Sequence, residues 1–236
     1  MRVSARACLV PHAGYAYSGR VAGAVYSGIV LPKRILILGV RHFPRGERAA
    51  ILSNGAWRTP LGDAEIDAPL AEMLREACPL LREDSVAHSG EHSLEVQLPF
   101  LQALDAGFRF VPVALGTIQF EELVNVGEAI ARVLTTSSEE VLLLTTSDLN
   151  HYENEAVTRL KDEKAIEKLL ALDARGLYDT CRNERISMCG LGPAVAMLTA
   201  LNSLGAKHAE LVRYATSGDV FGERDAVVGY AGMVFS

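Results

Sequence analysis

Along the chain, short apolar runs alternate with amphipathic segments. That pattern predicts an α/β fold, a largely parallel or mixed central sheet flanked by helices. Ala7 to Val10 reads as a short buried strand, followed by a turn and a helix from about Ser18 to Ile29. Arg34 to Gly39 is the next strand, and its unbroken Ile/Leu run suits burial on both faces. Ala49 to Asp67 alternates and carries Gly55, Pro60 and Gly62, which reads as a hairpin-like excursion. Ala68 to Leu81 shows helical spacing, and a further helix is expected from about Ser93 to Asp105, with Leu94, Leu98 and Leu101 on one face. Phe108 to Leu115 and Glu140 to Thr146 read as strands on either side of a helix from Phe120 to Thr135. A long charged helix follows from about Glu155 to Leu172, then an apolar one from Pro193 to Leu204 that Gly205 can end. Strands near Glu210 to Thr216 and Ala226 to Phe235 complete the sheet.

No stretch rich in Gly, Ser and Pro divides these elements and no repeat is visible, so the 236 residues read as one domain. A net charge of -6 excludes broad nucleic-acid binding, which needs a basic surface. No block of like charges suggests a membrane patch, and the longest apolar runs are too short to span a bilayer. The first residues carry positive charge, but Pro11 and His12 interrupt any apolar core of a signal peptide. A cytoplasmic protein is expected. The four cysteines show no paired spacing, and Cys8, Cys78 and Cys181 read as small buried apolar groups.

Candidate chemistry gathers where strands end. His12 follows Leu9-Val10, His42 follows the Ile37-Leu38-Gly39 run, and Asp148 with His151 follow Leu143-Leu144-Thr145. In open α/β sheets the carboxyl ends of the strands meet in one crevice, where ligands bind. Singly, each residue has an ordinary explanation: a solvated loop histidine, a capping aspartate, a His151 stacked on Tyr152. Three independent strand ends carrying such residues predict a shared site. Cys189 stands before Gly190 and Gly192-Pro193 at the mouth of the apolar helix, where the helix dipole favours thiolate, the form that binds metals. Its ordinary explanation is a small apolar group at a helix entry. Glu91 and His92 stand together before Ser93, a plausible cap for the next helix, and are further candidates.

Five ordered segments resemble the Memo family: Pro11-His12-Ala13-Gly14-Tyr15-Ala16-Tyr17-Ser18-Gly19, Leu38-Gly39-Val40-Arg41-His42, Glu91-His92-Ser93-Leu94-Glu95-Val96-Gln97-Leu98-Pro99-Phe100-Leu101, Thr146-Ser147-Asp148-Leu149-Asn150-His151-Tyr152, and Cys189-Gly190. Together they span about 180 residues, which makes the likeness specific. The family includes the animal protein Memo and microbial relatives called AmmeMemoRadiSam system protein B. Its fold is similar to class III extradiol dioxygenases, which hold non-haem iron at strand ends. The resemblance implies metal ligation by His12, His42 and Cys189, with Asp148 and His151 lining the same pocket and Glu91 and His92 as candidates beside them. It also implies association with an AMMECR-type protein and a radical-SAM enzyme. Two departures stand out. The family carries a few dozen residues before the first motif, whereas ten precede Pro11 here, which implies either a more open pocket or a misassigned start. Val40 and Phe43 replace the proline and second histidine of the family's Gly-Pro-x-His-His segment.

Two imidazoles and a thiolate suit iron or copper, and also zinc, better than magnesium or calcium. The leading expectation is a metal-dependent redox or oxygen-using activity on a small molecule, with His151 and Asp148 handling protons. A different class is a non-enzymatic peptide- or ligand-binding module: the animal relatives are implicated in signalling through phosphotyrosine peptides, and Arg41 beside His42 offers an anion contact. A zinc hydrolase, with bound water activated by Asp148 or His151, ranks third.

Overall fold

The computed structural model describes residues 2–105 and 107–236. In chain order the elements are β1 (Ala7–Val10), α1 (Tyr15–Gly28), β2 (Arg34–Val40), β3 (Ala49–Ile51), β4 (Ala56–Thr59), β5 (Gly62–Ile66), α2 (Ala68–Ala77), β6 (Arg82–Glu83), α3 (His92–Glu95), α4 (Leu98–Leu104) and β7 (Arg109–Leu115). They continue with α5 (Phe120–Thr136), β8 (Val141–Thr146), β9 (His151–Glu153), α6 (Glu155–Leu170), α7 (Ala174–Asn183), α8 (Leu191–Ser203), β10 (Ala209–Thr216), α9 (Gly218–Phe221) and β11 (Val227–Phe235).

The strands form a mixed sheet in the order β10-β11-β1-β8-β2-β7-β3-β6. β1, β8, β2 and β7 run parallel at its centre, while β11 joins β1 antiparallel and β3 joins β7 antiparallel. β4 and β5 make the expected hairpin, and β5 adds in parallel to the free half of β7. Successive strand side chains point to opposite faces, and the central strands divide accordingly. Ala7, Leu9, Leu36, Leu38 and Leu143 face a core built with α2, α5, α6, α7 and α8. Cys8, Val10, Ile35, Ile37, Leu142 and Leu144 face a second core built with α1, α3 and α4. This two-sided burial is why these segments read as continuous apolar runs rather than alternating ones. On the first face α5 and α8 approach closely because Gly127 lacks a side chain: a Cβ there would lie 2.5 Å from the Ala196 carbonyl oxygen.

Where the structure departs from the expected elements, the causes are local. The single helix anticipated from Ser93 to Asp105 is divided into α3 and α4, since Pro99 has no N–H to continue the ladder. The long helix ends at Leu170, and α7, capped by the Asp173 side chain on Gly176 N–H, was not anticipated. α8 begins at Leu191, placing Pro193 inside its first turn, where a missing N–H costs no helical bond. Cys8, Cys78 and Cys181 are buried and free. Among the described residues no helix is long and apolar enough to cross a membrane.

Candidate metal centre

β1, β8 and β2 are neighbours and parallel, so their carboxyl ends open into one crevice. Each delivers a functional side chain two residues past its last position: His12 after β1, Asp148 after β8 and His42 after β2. Cys189 arrives from the opposite direction, at the entry to α8. It is pinned there by Gly190, whose N–H donates to Ser147 Oγ at 2.9 Å. A Cβ at Gly190 would lie 2.4 Å from the Thr146 carbonyl oxygen, so only glycine lets the α8 entry press against the end of β8.

Ligand atoms of His12, His42 and Cys189 all lie within 4.8 Å of one another. The partners of the two rings decide what those atoms offer. The His42 Nδ1 is 2.9 Å from Glu91 Oε1, while Glu91 also accepts the backbone N–H of His42 at 2.7 Å and of Ser93 at 2.8 Å. Burial alone would push the Glu91 carboxyl up, but the bonds from the His42 ring, Ser93 and the His42 backbone hold it down at about 2. An ionised carboxylate only accepts, so the His42 Nδ1 carries a proton and Nε2 is the nitrogen left for a metal. The buried His12 has Nδ1 3.0 Å from Thr146 Oγ1 and Nε2 3.2 Å from Cys189 Sγ. Burial, together with the nearby His42 and His92 rings, outweighs Asp148 and lowers the His12 pKa to about 4, which keeps the ring neutral near pH 7. Two imidazoles and a sulfur atom gathered this closely form a donor set that fits a transition metal.

The thiol departs from the sequence expectation. Enclosure pushes Cys189 up to about 12, and the Asp148 carboxylate adds to the rise, against hydrogen bonds from the Asp148 N–H and Ser147 that lower it. Without a cation beside it the sulfur is therefore a thiol; the helix entry does not outweigh burial.

The remaining candidates fall into two groups. Asp148, His92 and His151 line the same cavity of about 940 Å³ with His12, His42 and Cys189. Asp148 Oδ1 accepts the backbone N–H of His12 at 2.9 Å and of Ala13 at 3.3 Å, while the His92 ring stacks on His42 at 4.8 Å. His151 Nδ1 is 3.0 Å from the Ser187 carbonyl oxygen, an acceptor only, which leaves Nε2 exposed to the cavity. Glu91 does not line the cavity: it is buried behind His42 and orients that ring. Sequence reasoning missed the opposite wall, made by Tyr17, Tyr152, Phe221 and Tyr230. Tyr17 belongs to a motif already noted and packs on Phe221 with ring centroids 4.7 Å apart. Tyr152, on β9, likewise closes a segment already noted, whereas Phe221 and Tyr230 come from α9 and β11, and nothing in their local sequence marks them. Tyr152 holds a left-handed φ of 61°, a conformation uncommon for a bulky side chain.

Fold and site together define a mixed α/β protein with a histidine–cysteine cluster, suited to a metal, at the carboxyl edge of its parallel strands. The model of the Memo-like protein family matches residues 1–234. The chain belongs to that family. It is 42% identical over 231 residues to a MEMO1 family protein of Methanopyrus kandleri, covering 96% of this chain and 82% of the relative. A MEMO1 family protein of Methanosarcina barkeri is 43% identical over 227 residues, covering 95% of this chain and 84% of the relative. The fold also matches the crystal structure of an uncharacterized Escherichia coli K12 protein with a TM-score of 0.65. Identity there is 15%, over 97% of this chain and 98% of the other.

Proposed function

We propose that the crevice binds one redox-capable metal ion, iron or copper, through His12 Nε2, His42 Nε2 and Cys189 Sγ, and acts on a small molecule held in the adjoining cavity. The observation that carries this reading is the convergence of three soft or borderline donors within 4.8 Å, at the base of a cavity of about 940 Å³. Thr146 and Glu91 support it by orienting both rings. When bound, such a metal would supply one-electron or oxygen chemistry. The chain's own residues do the rest. Glu91 holds a proton on the His42 Nδ1, and Thr146 fixes the orientation of the His12 ring. His151 offers Nε2 as the site that takes or gives a proton. Asp148 ties the His12 turn to the end of β8 and places a carboxylate beside the thiol, while Tyr17, Tyr230 and Phe221 restrict water and present flat apolar surface to a ligand.

Elemental analysis of the purified protein beside Cys189→Ala, each reconstituted with iron, copper or zinc, tests the reading. The expected result is one equivalent of iron or copper, lost in the variant, followed by oxygen uptake with catechols or other small reductants. Tight binding of zinc alone would shift the reading to hydrolysis. Absence of stoichiometric metal in both proteins would overturn it.

A further inference from the structure

A second, smaller cavity of about 270 Å³ opens along the same edge of the sheet, over β2 and β7. Val40 and Leu115, the final residues of those strands, contribute to it, and Cys189 borders both cavities. Its lining contains two arginines, Arg41 and Arg182, and no carboxylate. Among the described residues neither arginine has a salt-bridge partner. Arg41 donates through Nη1 to the Gly46 carbonyl at 2.7 Å, yet its Nε is buried without an acceptor. Gly116 makes room for this guanidinium, since a Cβ there would lie 2.4 Å from Nε. Arg182 lies 5.5 Å over the Tyr178 ring on the exposed side. The nearby acid, Glu122, accepts from Thr117 and pairs with Arg48 at 2.7 Å, so its charge is already answered.

We propose that this cavity is a binding site for a small oxyanion, a carboxylate or a phosphate on a body of a few carbons, with Arg41 as anchor and Arg182 closing it from the solvent side. Two guanidinium groups left without counter-charge are the chemistry that recognises such groups. The volume is too small for a drug-sized ligand and sufficient for a short anionic molecule. Cys189 is shared with the larger cavity, but neither arginine is among the residues proposed to hold a metal there.

Calorimetric titration of the full chain after chelation, with inorganic phosphate and separately with malonate at constant ionic strength, tests this. Saturable binding of one equivalent of at least one probe is expected, and the stronger probe identifies the class. In Arg41→Gln the affinity should fall by about tenfold or more, and in Arg41→Lys and Arg182→Gln by a few-fold, because charge or fork geometry is only partly lost. Thermal melting checks that the variants fold; should Arg41→Gln fail, Arg41→Lys and Arg182→Gln carry the comparison. Non-saturating binding of both probes, or unchanged affinity in the folded variants, would overturn the assignment.

Discussion

Asp162 tests whether the core behind the site is as dry as its geometry implies. It lies on α6, wholly buried, and its two oxygens accept the Asn150 N–H at 2.9 Å and the Tyr214 hydroxyl at 2.7 Å. Burial drives its carboxyl up from 3.8; the bonds from Asn150 and Tyr214, and the charge of Arg159, pull it back only as far as about 7. A rise of roughly three units corresponds to about 4 kcal/mol of preference for the protonated form in the folded state. The sign follows directly. The folded protein holds this proton more tightly than the unfolded chain, so the contribution is complete below pH 3.8, shrinks as pH rises, and is lost above about 7. Asp162→Asn removes the titration while keeping an oxygen for Asn150 N–H and an amide N–H for the tyrosine oxygen. Urea unfolding of both proteins, followed by circular dichroism, should show them of similar stability at about pH 4, with the variant gaining by about 4 kcal/mol as pH is raised to about 8. Other carboxylates titrate equally in both proteins and cancel in the difference. A difference that stays flat over this range would refute the argument, and one that grows in favour of the wild type would mean a carboxylate stabilised by its donors.

Three further outcomes are expected. Glu91→Gln leaves the His42 Nδ1 without an anionic acceptor and should weaken metal binding by about 10–100-fold in chelator competition, with the far-ultraviolet spectrum unchanged. Gly190→Ala sets a methyl group 2.4 Å from the Thr146 carbonyl oxygen; urea unfolding should show a loss of about 1–3 kcal/mol, the cost of overpacking. Asp67 is buried, takes paired bonds from Arg34 at 2.6 and 2.9 Å and caps α2 through Leu70 N–H at 3.1 Å. Asp67→Ala leaves this buried guanidinium only the longer contact to Glu139 at 3.6 Å and should cost about 3 kcal/mol in denaturant unfolding, much of it recovered in Arg34→Met/Asp67→Leu.

The parts of the fold visible in the sequence are those governed by local periodicity. β2 and β8 were legible because strands buried on both faces need unbroken apolar runs, and the crevice was legible because His12, His42 and Asp148 each follow such a run. The division of α3 from α4 was also available from Pro99, but apolar spacing at Leu94, Leu98 and Leu101 suits either arrangement. α7 was missed although Leu177 and Cys181 have helical spacing, since its charged remainder resembles a loop. The role of Glu91 depends on a contact across 49 residues, and no local pattern carries that information. The protonation of Cys189 is likewise a property of everything packed around the sulfur, whereas sequence shows only the helix entry beside it.

The position of β1 bears on when the site can exist. This strand is bordered on one side by β8 and on the other by β11, whose residues lie more than a hundred positions downstream. During synthesis, therefore, His12 precedes both neighbours of its strand, which finds the second of them only once β11 has been made. Pairings so distant in sequence form slowly, because the intervening chain must close before they reward it. Of the three donors, the one that comes first along the chain is thus carried on the strand whose pairing is completed last.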